Sequence, residues 1–363
     1  MRAGDLTSGW TFHQYTVYNP MADPSVCRSL GAGMLMRRCS ALRWLLQRRC
    51  HECTDDHQWI RVVDSPPLLQ SLPDGEGAKA ERLTSITVKR ALTPQKGGFL
   101  ASGFTHTLNP YAGCGFGRTG CPFCYVRESP IGRFGPAAWG SWVLHKANIA
   151  AVLEQELGKP AARRYRVFMA SATDPYQPAE ARTGLTQRCL AVLQAHPIDW
   201  LVVQTRSLLV QRDFALLAEL PFVTLNISLE TDRLDVHRRL TRSSAAPERR
   251  LSLVRTALAH GIYTQITVSP YLPSSPTFAE TLADAVGARG RVIVDTFLDG
   301  DGSGGQRSAR LGMDAVLADA GFPGWFAHCR EHAQGLMERL LPLLGPERVL
   351  WSAVGFSSKP EKF

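Results

Sequence analysis

The chain has 363 residues, 44% of them apolar and 20% charged, a globular composition with material for one large domain or two ordinary ones. No run of eighteen or more apolar residues occurs, and the opening MRAGDLTSGW lacks the apolar core of a secretory signal, so the expectation is a cytoplasmic chain with no membrane span. Forty-one basic against 32 acidic residues give a formal charge of +9, which permits contact with phosphates or other anions; the arginines are spread along ordinary helix faces, so a solvated surface explains them as well as a nucleic-acid footprint does.

Residues 1–85 read as a poorly ordered N-terminal extension rich in turn formers. Leu35, Cys39, Leu42 and Leu46 fall on one face of an amphipathic helix within it. Cys50 and Cys53, with His51 and His57 near, make one metal-type pair but lack the second pair that a structural site needs. From Leu83 the pattern changes. SITVKRAL reads as a strand, and GFTHTLNPY as another that runs into NPYAGCGFGRTGCPFCYVR, residues 109–127.

That stretch holds three of the nine cysteines, Cys114, Cys121 and Cys124, spaced C-x6-C-x2-C among Gly113, Gly115, Gly117 and Gly120. Their uneven clustering suits metal ligation better than a disulfide framework. A structural zinc site normally closes with four Cys or His ligands, whereas a cubane iron–sulfur cluster held by three cysteines keeps one iron open. The alternatives are a zinc knuckle completed by His106 or His145, and thiols that are simply buried.

Beyond the loop, residues 141–159 read as a helix with Val143, Ile149, Val152, Leu153 and Leu157 on its apolar face. Apolar strands at 165–170, 200–205, 222–229, 263–268 and 291–297 then alternate with helices at 186–195, 212–220, 247–260 and 278–287. With the strand before the cysteine loop this makes six βα units. Parallel strands with helices outside follow, and with no GxGxxG word the arrangement suits a partial (β/α)6 TIM-like barrel of α/β class more than an open dinucleotide-binding sheet. The expected division is 1–85 extension, 86–300 barrel and 301–363 a C-terminal helical region packing on it.

Chemistry in such barrels sits at the C-terminal ends of the strands. Those ends carry the cysteine loop; SATDPYQPAE with Thr173 and Asp174; QTRSLLVQRD with Arg206; Asn226, Ser228 and Glu230; SPYLP; and Asp295 before DGDGSGGQRS, a glycine-rich stretch that opens with Asp299 and is of the kind that forms mobile lids.

The cysteine loop resembles that of radical S-adenosylmethionine enzymes, usually C-x3-C-x2-C with an aromatic, here Phe123, before the last cysteine. The words NPY.GC, CPFCYVR and TDPYQ are similar, more narrowly, to those of the spore photoproduct lyase-like branch. The first gap departs from the pattern, six residues in place of three, which points to an insertion within 116–119. The resemblance implies a [4Fe-4S] cluster on Cys114, Cys121 and Cys124, and S-adenosylmethionine as second cofactor. It implies reductive cleavage to a 5′-deoxyadenosyl radical that abstracts hydrogen from an unidentified substrate, a DNA photoproduct being one candidate, with a one-electron reductant such as a flavodoxin or ferredoxin as partner. By the same resemblance Phe123 packs near the adenine, Tyr125 stands behind the last ligand, Thr173 and Asp174 face the methionine amino group, Arg206 faces the cofactor carboxylate or a substrate phosphate, and Asn226 and Ser228 face the ribose. No hydrogen-donor cysteine is identified. The reading from another class is a non-catalytic, zinc-stabilised nucleic-acid-binding protein.

Overall fold

The computed structural model describes residues 82–117 and 120–361. The N-terminal extension, with its helix around Leu35 and the Cys50 and Cys53 pair, lies outside them, as do Arg118 and Thr119 of the cysteine loop.

The five apolar runs and the strand before the cysteine loop become neighbouring parallel strands: β3 (His106–Leu108), β6 (Arg166–Met169), β7 (Trp200–Thr205), β8 (Val223–Ser228), β9 (Thr264–Val268) and β10 (Arg291–Val294). Two edges complete the sheet, β2 (Leu92–Pro94) antiparallel to β3 and β11 (Val349–Trp351) parallel to β10, in the order β11-β10-β9-β8-β7-β6-β3-β2. This is a partial TIM-like α/β fold. Strand alternation sends Leu201, Val203, Leu225 and Ile227 outward into one core with Leu153, Leu190 and Val254 of the covering helices. It sends Trp200, Val202 and Phe168 inward.

Three expectations are corrected. The helix read over 141–159 begins only at Ile149, because Trp142–Lys146 is a strand, β5, whose aromatic and β-branched start favours extended backbone. β5 is the middle of a second sheet, parallel to β1 (Arg82–Ile86) and antiparallel to β4 (Tyr111–Cys114). Asn148 fixes the break between strand and helix, since its side chain exchanges two 2.8 Å bonds with the Val88 backbone. The boundary expected at residue 85 falls inside β1. The C-terminal region is not all helical, because it supplies β11, three residues too short to stand out as a strand pattern.

β2 and β11 are not hydrogen-bonded to each other, so the large sheet stays open on one side. Residues 97–104 and the helix Ser352–Ser357 meet in that gap. Phe99 and Phe356 pack with centroids 5.5 Å apart, and the Ser102 and Ser357 hydroxyls lie 2.7 Å apart. A Cβ on Gly103 would come within 2.5 Å of the Ser357 Cα, so the approach requires glycine. Inside the seam Phe104 stacks on Trp200 at 4.7 Å and meets Phe168 edge-on at 5.1 Å, while the Trp200 indole N–H donates to the Thr224 hydroxyl at 2.9 Å. This aromatic layer fills the barrel below the site.

Candidate functional site

The cysteine loop is held in place by the loop after β6. Gly113, at φ 84°, lets β4 lie on β5, where a Cβ would meet the Trp142 carbonyl oxygen at 2.4 Å. The Gly113 carbonyl accepts from the Thr173 hydroxyl at 2.6 Å, and the Gly115 N–H donates to Gln177 Oε1 at 2.8 Å. Gln177 in turn donates to Thr173 Oγ1 at 3.2 Å. Behind them the Tyr111 hydroxyl bonds the buried Glu180 carboxylate, which also accepts from the Thr186 N–H at 2.8 Å and Arg212 Nη2 at 2.6 Å. The TDPYQPAE word therefore clamps the loop as well as lining the site. Within the long first gap the Gly120 N–H donates to the Gly117 carbonyl at 3.1 Å, and the Gly120 carbonyl accepts from Ser243 Oγ at 2.9 Å.

Cys114, Cys121 and Cys124 are free, half-buried thiols lining a single cavity of about 470 Å³. Burial pushes the Cys114 thiol up, with the neighbouring Cys124 adding to it. Burial also raises Cys121, against the pull of the Arg206 guanidinium. Among the described residues no three His, Cys, Asp or Glu side chains are grouped as ligands of one metal ion. Neither histidine considered as a zinc ligand lines the cavity: His106 packs on Tyr165 at 4.1 Å, and His145 lies on β5 opposite Tyr111.

Phe123, Tyr125, Thr173, Asp174, Arg206 and Ser228 line the same cavity. The Phe123 ring lies edge-on to Phe297 at 6.5 Å. Burial pushes the Tyr125 phenol up to about 12, with the Cys124 sulfur as second cause. Asp174 accepts from the Tyr176 N–H at 2.8 Å, the Thr205 hydroxyl at 2.7 Å and the Arg206 N–H at 2.9 Å. Three of its roughly four lone-pair positions are thus engaged in holding the turn and the Arg206 backbone. The Arg206 guanidinium lies 2.9 Å from Cys121 Sγ and 3.1 Å from Glu230 Oε1. Asn226 is not in the cavity wall. It lies buried beneath, its Oδ1 accepting from Gln265 at 2.7 Å, its Nδ2 without a partner.

Several wall residues that the sequence gives only as strand-end positions, without a role, also line the cavity. Gln204 lines the cavity with its Oε1 buried and unpartnered, and inward alternation through Trp200 and Val202 to Arg206 would have found it. Asp295, fully buried, accepts from Ser269 Oγ and the Thr296 N–H at 2.8 and 2.9 Å, and burial pushes its carboxyl up to about 6. The DGDGSGGQRS stretch folds around Asp301, whose carboxylate accepts from the Ser303, Gly305 and Ser308 N–H groups. Arg307 from that stretch also faces the cavity, donating to the Asp301 carbonyl at 2.8 Å.

The wall suits the implied cofactors. Three thiols flank space for a cluster, and the orphaned Gln204 acceptor and the Ser228 hydroxyl suit ligand hydroxyl or ammonium donors.

Residues 108–281 match the model of the radical SAM superfamily. An uncharacterized protein of Mycobacterium tuberculosis is 33% identical over 190 residues, covering 51% of this chain and 54% of that protein. One from Methanocaldococcus jannaschii is 25% identical over 191 residues, covering 53% and 68%. The chain thus spans about half the length of the mycobacterial relative. Among solved structures, spore photoproduct lyase complexed with dinucleoside spore photoproduct superposes with a TM-score of 0.50 at 12% identity, covering 74% of this chain and 81% of that one. A mutant of that lyase gives 0.51 at 13%, with the same coverage. At such identity the likeness is one of fold. No described helix is long and apolar enough to cross a membrane.

Proposed function

We propose, from the premise that residues 108–281 are a radical SAM domain with a [4Fe-4S] cluster and S-adenosylmethionine as its cofactors, that this chain is an enzyme that reductively cleaves S-adenosylmethionine and abstracts hydrogen from an organic substrate. The observation that carries this reading is the meeting of Cys114, Cys121 and Cys124 with Thr173, Asp174, Arg206 and Ser228 around one cavity. When bound, the cluster supplies one electron, and the cleaved S-adenosylmethionine supplies a 5′-deoxyadenosyl radical.

The chain's own part is positioning and exclusion of water. The three thiolates hold the cluster. The acceptors of the loop stiffened by Pro175 and Pro178 hold the methionine ammonium, with Asp174 fixing that loop and leaving one lone-pair position for the ligand. Ser228 and Gln204 take ribose hydroxyls, and Phe123 offers its ring to the adenine. Tyr125 stands behind the last ligand. Phe99, Leu100, Phe168 and Phe356 supply an apolar wall that keeps bulk water from the reacting carbon.

The finer reading is a DNA photoproduct as substrate, supported by the fold likeness to spore photoproduct lyase and the charge of +9. It stands behind an unassigned organic substrate, because among the described residues no fourth thiol lines the cavity as hydrogen donor; Cys189 and Cys329 are buried in separate packing clusters. A low-potential flavodoxin or ferredoxin is the matching electron source. Anaerobic reconstitution with dithionite and S-adenosylmethionine tests the proposal: brown protein that forms 5′-deoxyadenosine supports it, and colourless zinc protein that forms none favours the non-catalytic binding reading.

A further inference from the structure

Glu230 lies just past the end of β8, where the sequence places it among the strand-end residues and leaves an exposed loop acid equally open. The structure buries it completely, between two arginines. Its Oε2 accepts a hydrogen bond from Arg250 Nη1 at 2.7 Å, while its Oε1 forms an ion pair with Arg206 Nη2 at 3.1 Å without hydrogen-bond geometry. Arg250, on the helix Pro247–Ala259, is also fully buried, and it is anchored by bonds to the Ser228 and Ala245 carbonyls at 2.5 and 3.0 Å. At the other end of the chain of charges, Arg206 Nη1 sits 2.9 Å from Cys121 Sγ, its backbone N–H held by Asp174 and its guanidinium 5.8 Å from the Phe123 ring centroid.

Burying three charges is costly, and such groups are weak evidence of stabilisation. What this arrangement does achieve is a fixed charge pair at one ligand. A carboxylate anchored by Arg250 lies on one side of the Arg206 guanidinium and one cysteine sulfur on the other. The potential of an iron–sulfur centre depends on net charge and on hydrogen bonds to its sulfurs, and partners of ligating groups tune a metal site. Charges in a buried setting are felt more strongly than in water.

We infer that the buried Glu230 carboxylate and the Arg206 guanidinium act as a charge pair beside the sulfur of Cys121, and that the two opposite charges set the reduction potential of the cluster which that sulfur holds. The inference rests on the cluster assignment proposed above. One-electron reduction adds a negative charge to the cluster. Removing the positive charge of Arg206 therefore makes reduction harder, and removing the negative charge of Glu230 makes it easier. A purely structural role lowers stability in both variants without moving the potential in opposite directions.

The test is a redox titration of the anaerobically reconstituted full chain, followed by the electron paramagnetic resonance signal of the reduced cluster, with iron and sulfide measured in each sample. Arg206→Gln should shift the midpoint to more negative values and Glu230→Gln to more positive values. Shifts of the same sign, or no shift in fully loaded protein, overturn the inference. If Arg206→Gln does not hold a cluster, the sign for Glu230→Gln decides alone, and a negative or absent shift is fatal. If neither holds one, Arg206→Lys, which keeps the charge but cannot span both partners, should be more negative than wild type, and an unchanged midpoint overturns the idea. A wild type that takes up no cluster removes the proposed function and this inference together; a loaded wild type with unmoved variants removes only this inference.

Discussion

On the cysteine side of the cavity the backbone is tied by directional bonds: Thr173 to Gly113, Gln177 to Gly115, Ser243 to Gly120, Asp174 to Arg206. On the opposite side, where residues 97–104 meet Phe356, contact is mainly aromatic packing across the open edge of the sheet. Hydrogen bonds fix positions to a few tenths of an ångström, as ligands of a cluster require, whereas packing stabilises without fixing any one atom. The first wall is held by directional bonds, the second by packing. Changes on the two sides should therefore separate function from stability.

The largest stability effect belongs to the packed side. Phe104→Ala removes a ring that is 3% exposed and touches both Trp200 and Phe168. It should cost about 3–5 kcal/mol, read from urea unfolding, while the folded fraction keeps its iron content. Loss of iron at full folding would show that the seam also shapes the ligand loop.

Asp295 sharpens the comparison through pH. Burial pushes its carboxyl up to about 6, against about 3.9 in an unfolded chain. The folded state binds more protons between those values, so its contribution is fully present below about pH 4 and is lost as pH rises through about 6. Asp295→Asn, which does not ionise, should gain on wild type by up to about 3 kcal/mol between pH 4 and pH 8. A stability difference that stays constant with pH contradicts the assignment.

Asp174→Asn is smaller and local. The amide keeps an oxygen for Tyr176 and Thr205 but turns an N–H₂ toward the Arg206 N–H. The clash of donors should cost about 1–3 kcal/mol. It should also weaken S-adenosylmethionine binding by calorimetry under nitrogen, with the cluster spectrum intact. Unchanged affinity would make Asp174 a turn residue only.

The smallest change tests strain at the boundary of the walls. Ala170 lines the cavity at φ 90°, a region that favours glycine. Ala170→Gly should leave stability level or raise it by about 1 kcal/mol, relief of strain offsetting the entropy of the unfolded glycine. A clear loss in urea unfolding would mean that the methyl packs better than its backbone suffers.

The barrel was legible because five of its six strands are apolar runs bounded by turn formers, and the sixth, His106–Leu108, leads directly into the cysteine words. β5 was not, because WVLHK runs almost directly into a helix and the two apolar patterns merge. β11 has three residues, too few to carry a period, and only its neighbour β10 makes it a strand. At the site, Cys114, Cys121, Cys124 and Asp174 stood out because short words bring them together. The roles of Glu230 and Gln204 did not. A lone acid after a strand looks exposed until Arg250, twenty residues later, is folded onto it. Asn226 was misplaced by one layer, since alternation gives the face of a strand but not the depth along the barrel.

The central claim is that Cys114, Cys121 and Cys124 hold one [4Fe-4S] cluster in the cavity they line. Its most direct test is iron and acid-labile sulfide per chain after anaerobic reconstitution, in wild type and in the three single Cys→Ala variants. Cys189→Ala and Cys329→Ala serve as controls from the buried thiols. The account predicts a full cluster in wild type and both controls, and its loss in each of the three variants with the fold retained. A full cluster in Cys121→Ala, or zinc in place of iron in wild type, would contradict it.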